Sequence, residues 1–156
     1  MTIVAFNHWL AATRFSQFIQ RTHGAIALIQ ILHIICLATL FALALSLALR
    51  LSGRGLASEP LASLARRFVP AIWICLSLLL LTGSLLIVAE PYRTLNNLVF
   101  YVKMVLVILA SLLTLRIAAL ARSRAEIVSL PRTTVATLYM LIWCGIIIAG
   151  RLIAYR

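Results

Sequence analysis

Residues Ala25–Leu49, AIALIQILHIICLATLFALALSLAL, decide the fold. They lie in a run of 28 residues, 22–49, with no Lys, Arg, Asp or Glu between Arg21 and Arg50. About 20 apolar residues in a helix cross the ~30 Å hydrocarbon core of a bilayer. This run therefore spans with residues to spare. Within Ala25–Leu49 sits one imidazole, His33, about 12 Å below Ala25 at about 1.5 Å per residue. An ionisable group at that depth is costly and marks a functional site by default.

Working outward, three further runs can span: Pro70–Ala89, Leu98–Leu115 and Thr133–Gly150. Arg66 and Arg67 precede the second, Glu90-Pro91 ends it, Lys103 alone interrupts the third, and Arg151 closes the fourth. Pro70 and Pro131 stand at predicted helix entrances, where a missing N–H costs nothing. Pro91 follows the second span, where it stops the helix. Phe6–Gln20 mixes Phe6, Trp9, Leu10, Phe18 and Ile19 with Asn7, His8, Arg14, Ser16 and Gln17, the pattern of a short helix lying in the interface. Residues 1–24 are fairly polar, and the first apolar run exceeds the about 7–15 residues of a cleavable leader's core, so it reads as a retained span. The expected architecture is all-α: an interfacial segment, 1–24, then one transmembrane four-helix bundle, 25–156.

Composition agrees. Of 156 residues 64% are hydrophobic, with a mean hydropathy of +1.12, against about 45–50% apolar in soluble domains. The formal charge of +11 comes from single basic residues at the edges of apolar runs. That is no nucleic-acid patch, which would interleave aromatics with clustered cations. The three acids are Glu59, Glu90 and Glu126, and Asp is absent. A hydrolase built on paired carboxylates and a hard-cation cage are both excluded. Cys36, Cys75 and Cys144 each fall inside an apolar run without CxxC spacing, and read as small buried hydrophobes. No Walker loop, HExxH, serine elbow or zinc spacing occurs.

Counting Lys and Arg sets an expected orientation. The first loop holds Arg50, Arg54, Arg66 and Arg67, and the third holds Arg116, Arg122, Arg124 and Arg132. The other side has Arg14, Arg21, Arg93, Arg151 and Arg156. The first and third loops are thus expected in the cytoplasm of a bacterial inner membrane, with both termini periplasmic. In that frame His33, Glu90, Arg93, Lys103 and Arg151 all fall in the outer half, a polar cluster without an assigned role.

Gln30 and His33, three residues apart, share a helix face, and Cys36 continues the arc. One reading makes His33 a ligand to haem or copper, oriented by a polar neighbour such as Gln30. The other makes it a polar tie between helices. His23 lies about 15 Å from His33 along one helix, so the two cannot clamp a single iron. His8 reaches inward only if the first segment dips; Met104 is another axial candidate. Lys103 is expected to snorkel to the headgroups or to pair with Glu90. Thr82-Gly83-Ser84 offers a small packing face.

Several strings in order resemble a family of short bacterial membrane proteins of unknown function. They are Leu32-His33-Ile34-Ile35-Cys36-Leu37-Ala38, Leu49-Arg50-Leu51-Ser52-Gly53 and Leu64-Ala65-Arg66-Arg67-Phe68-Val69-Pro70, followed by Leu81-Thr82-Gly83-Ser84-Leu85-Leu86 and Ala89-Glu90-Pro91. Asn97-Leu98-Val99-Phe100-Tyr101-Val102-Lys103 and Ala149-Gly150-Arg151-Leu152-Ile153-Ala154-Tyr155 complete the series. More distantly, the first-helix histidine, the Thr-Gly pair and the Lys-bearing third helix resemble the membrane domain of copper-resistance D proteins, a family associated with copper handling and, in some members, haem b. The resemblance implies His33 as the haem or copper candidate. It departs at Ser111–Ala118, which lacks the Asn and His of the short family's third helix. The functional expectation is a haem b- or copper-associated redox or metal-handling subunit in the lipid bilayer. The alternative is a non-catalytic accessory or assembly subunit of a larger membrane complex, or a homo-oligomer. A small transporter would need oligomerisation for alternating access.

Overall fold

The computed structural model describes residues 3–55, 59–122 and 131–155; Arg124, Glu126 and Arg156 lie outside them. The elements in chain order are α1 (Ile3–Ala11), α2 (Arg14–Arg21), α3 (Ala25–Leu51), α4 (Leu61–Ala89), α5 (Pro91–Leu95), α6 (Leu98–Arg122) and α7 (Arg132–Tyr155). Of these, α3, α4, α6 and α7 are long and apolar enough to cross a membrane. They run up and down around a ring: α3 packs on α4, α4 on α6, α6 on α7, and α7 back on α3. One end of the bundle carries the N-terminal helices, α5 and the end of α7. The other, the loop end, carries the connections after α3 and after α6.

All four helices are longer than the expected spans, α3 by only two residues, and each extension lies at the loop end or toward the end of α7. α4 starts at Leu61, not Pro70, so Pro70 lies inside the helix. The entrance is Pro60, whose carbonyl accepts from the Ser63 and Leu64 amides. Residues 61–69 are rich in Leu, Ala and Arg, good helix formers. A spanning helix tolerates the one bond Pro70 removes, because neighbouring helices hold it straight. α6 continues to Arg122 for the same compositional reason. At 29 residues α4 is about 43 Å long, well beyond the ~30 Å hydrocarbon core. Pro131 does stand at the entrance of α7, accepting from Thr134 N at 2.9 Å.

The expected single interfacial helix is two. Thr13 breaks it, with φ −66° and ψ 144°, and its Oγ1 accepts from Ser16 N to cap α2. The pair lies across the terminal end with its polar side inward. Asn7 and Ser16 are fully buried, while Trp9, Phe15 and Phe18 are exposed. Ser16 Oγ donates to the Val88 carbonyl at 2.7 Å and Gln20 Nε2 to the Ala89 carbonyl at 2.9 Å. Those carbonyls belong to the last turn of α4, which has no helical donors left for them. Asn7 Nδ2 reaches Asn96 Oδ1 at 3.0 Å. Aromatics outward and amides inward is the wrong way round for water and the right way for a headgroup layer.

Burial is lopsided along the bundle axis. The apolar core is built from residues 40–51 of α3, 64–76 of α4, 110–118 of α6 and 135–146 of α7, all toward the loop end. No residue of 25–39 in α3 or 98–109 in α6 is buried. In the core, Tyr139 OH meets Thr114 Oγ1 at 2.8 Å, and Trp143 packs edge-on to Tyr139. The large apolar side chains facing out, among them Leu28, Ile34, Ile108 and Leu141, suit acyl chains. The cysteines are free but not deeply buried: Cys36 and Cys75 are half-buried and Cys144 is exposed on the outside of α7. Between tightly packed helices even a small thiol would need a gap, and the lipid-facing positions provide one.

Candidate functional site

His33 and Thr82 reach the same level from opposite directions. His33 stands about 12 Å along α3 from Ala25, and Thr82 about 10 Å along α4 from Ala89, at about 1.5 Å per residue. The antiparallel packing of α3 on α4 brings His33 Nδ1 to 2.7 Å from Thr82 Oγ1. Gly83 lies beside the ring: a methyl group there would stand 3.5 Å from His33 Cε1, in ordinary van der Waals contact. The small face expected of Thr82-Gly83-Ser84 thus faces an imidazole.

The Thr82 hydroxyl lies 2.7 Å from His33 Nδ1 and 2.8 Å from the Leu78 carbonyl, which ties the ring to the backbone of α4. Nε2 makes no hydrogen bond among the described residues. An imidazole held at one nitrogen and open at the other is the arrangement of metal-ligating and proton-handling histidines.

Lys103 lies at the same end of the bundle. Its ammonium lies over α7, 3.5 Å from where a Cβ on Gly150 would be. The expected pairing with Glu90 is not made. Glu90 Oε2 instead binds Arg93 Nη1 at 2.8 Å, three residues on, where the short turn between α4 and α5 brings them together. Arg93 Nε also reaches the Ile153 carbonyl at 3.4 Å, tying α5 to the end of α7. The expected polar cluster therefore divides: Glu90 and Arg93 form a staple at the rim, while Lys103 sits deeper, against α7. Arg151 is exposed on α7.

Gln30 shares the His33 face and is half-buried, but the hydrogen bond that orients the ring comes from Thr82. His8 stays at the rim, edge-on to Tyr92 with ring centroids 5.3 Å apart, and His23 is exposed between α2 and α3. Neither joins His33. Among the described residues no three His, Cys, Asp or Glu side chains gather where they could hold a metal ion. Sequence reasoning missed Thr82 as the partner, although its depth, counted from Ala89, matches that of His33 counted from Ala25. It also missed the Thr114–Tyr139 tie, for which no spacing rule across two helices gives a signal.

These features define a multi-pass membrane protein, a four-helix bundle dry and packed at one end and polar at the other. No family model, curated protein or solved structure matches the chain.

Proposed function

We propose that this is a small redox subunit of the bacterial inner membrane that binds one haem b through His33, with both termini periplasmic. The observation that carries it is the half-buried imidazole held at Nδ1 by Thr82, with Nε2 making no hydrogen bond among the described residues. The residues fit a haem better than a copper ion. Copper prefers several imidazole or sulfur donors, whereas no group of three His, Cys, Asp or Glu gathers around His33 among the described residues. His33 Nε2 would hold the iron, and Lys103 would neutralise a propionate. A haem in this place would supply one-electron chemistry at a potential set by its axial ligand and surroundings. The chain's own part is to fix the ring orientation through Thr82, raise the basicity of Nε2, and keep water away with the packed core beneath. Lys/Arg counting supports the orientation.

An absorption spectrum of gently solubilised protein tests the reading. A Soret band is expected, lost in His33→Ala and kept in His23→Ala. A folded, colourless protein that takes up no added haem overturns it. The polar groups at His33 and Lys103 are only half covered by this chain, an expensive state in lipid. That observation also favours a second reading, an accessory subunit whose larger partner covers them. Colourless protein that co-purifies stoichiometrically with another membrane protein would select it.

A further inference from the structure

The loop end carries a second candidate site, unrelated to His33. Between α4 and α6 lies a groove of about 460 Å³ lined by Arg66, Val69, Pro70, Trp73, Leu115 and Arg122, with alanines of both helices as its floor. Arg66 is about 34 Å along α4 from Ala89 and Arg122 about 36 Å along α6 from Leu98, so both stand at the headgroup level of the far leaflet. Both are exposed, and neither has an ion-pair or hydrogen-bond partner among the described residues. Among the described residues no carboxylate lines the groove. Below the arginines the walls are apolar, and Trp73 contributes the amphipathic ring common at membrane interfaces.

We infer that this groove is a specific site for one anionic phospholipid. Its phosphate lies between Arg66 and Arg122, and an acyl chain runs along Val69, Trp73 and Leu115. Charge complementarity selects the occupant: two guanidiniums without a partner among the described residues offer a forked donor set that matches phosphate oxygens. Depth selects lipid over a soluble anion, because the apolar part of the groove continues into the hydrocarbon. The alanine floor is what makes room, since larger side chains there would close the gap between α4 and α6.

Native mass spectrometry of the full chain released from mixed vesicles of phosphatidylglycerol and phosphatidylcholine tests this. One phosphatidylglycerol should be retained per chain in preference to phosphatidylcholine. Arg66→Gln with Arg122→Gln should weaken retention about 100-fold or more, from about 10-fold or more for each guanidinium that hydrogen-bonds the phosphate. Arg67→Gln makes the same charge change one residue away, outside the groove, and should cost at most the about 5-fold of a cation that only lies near an anionic headgroup. Ala119→Leu keeps both arginines and fills exposed space in the groove, so it too should expel the lipid. The inference is overturned if Arg67→Gln costs as much as Arg66→Gln, if phosphatidylcholine is held equally, or if Ala119→Leu changes nothing. Displacement of the lipid by glycerol phosphate would overturn it as well, because the acyl chain would then contribute nothing.

Discussion

Replacing Thr82 with Val removes one hydroxyl and puts a methyl of nearly the same size in its place. In the native protein Thr82 Oγ1 hydrogen-bonds His33 Nδ1 at 2.7 Å and lies 2.8 Å from the Leu78 carbonyl. The Leu78 contact is a bonus to a carbonyl already satisfied by its helix, so its loss costs little. The loss at His33 leaves a ring nitrogen unpaired, worth about 1–3 kcal/mol in a protein interior. Polar pairs measured inside membranes average about 0.6 kcal/mol and reach about 1.7, because the loosened side chain finds other partners. His33 is half-buried, so about 1 kcal/mol is the expected cost. In a chain of this size that is a fall of about 2–4 °C in the detergent melting temperature. Haem affinity should fall further, about 10–100-fold, as when other ligand-orienting partners are lost. Thr82→Ser, which keeps the hydroxyl, should restore both. Melting by tryptophan fluorescence and haem titration at the Soret band read the two effects separately. A Thr82→Val protein that melts and binds haem like the native one, while His33→Ala does not, would refute the assigned role of Thr82.

Tyr139→Phe leaves Thr114 bonded to the Ala110 carbonyl but breaks the α6–α7 tie; a loss of about 0.6–1.7 kcal/mol should appear in denaturation of the solubilised protein. Ser16→Ala takes the donor from the Val88 carbonyl. It should cost about 1 kcal/mol and speed amide exchange in α2 while leaving the exchange of α7 unchanged. Glu90→Gln should shift stability by less than about 1 kcal/mol, and by less still in high salt, because both partners of its ion pair are about one-third exposed.

What the sequence reveals follows from what the bilayer demands. Length and hydropathy place four spans, because every backbone polar group in lipid must be satisfied within its helix. They do not set the ends. Pro70 signals a helix start by its missing N–H, yet the helix runs through it from Leu61, since packing against α6 and α3 outweighs one lost bond. His33 is legible from the cost of its depth, and its partner is legible only once antiparallel packing makes depth comparable between α3 and α4. Glu90, Lys103 and Arg93 illustrate the limit. Sequence puts all three near one rim, but the turn at Pro91 decides that Glu90 meets Arg93 and leaves Lys103 to α7. The N-terminal segment shows the opposite error. Its amphipathicity is plain, but the break at Thr13 depends on a hydroxyl capping an amide three residues on.

The uneven packing along the axis makes the bundle mechanically a pair of tongs. Its four arms are pinned where Leu40, Leu47, Ile72, Ile117 and Trp143 interlock. The tips, residues 25–39 and 98–109, contain no buried residue. What holds them is polar and individually weak: the His33–Thr82 hydrogen bond, the Ser16 and Gln20 bonds to the end of α4, and the Arg93 bond to the Ile153 carbonyl. Anything that enters beside His33 from the membrane need only loosen those ties, and the grip at the other end stays shut.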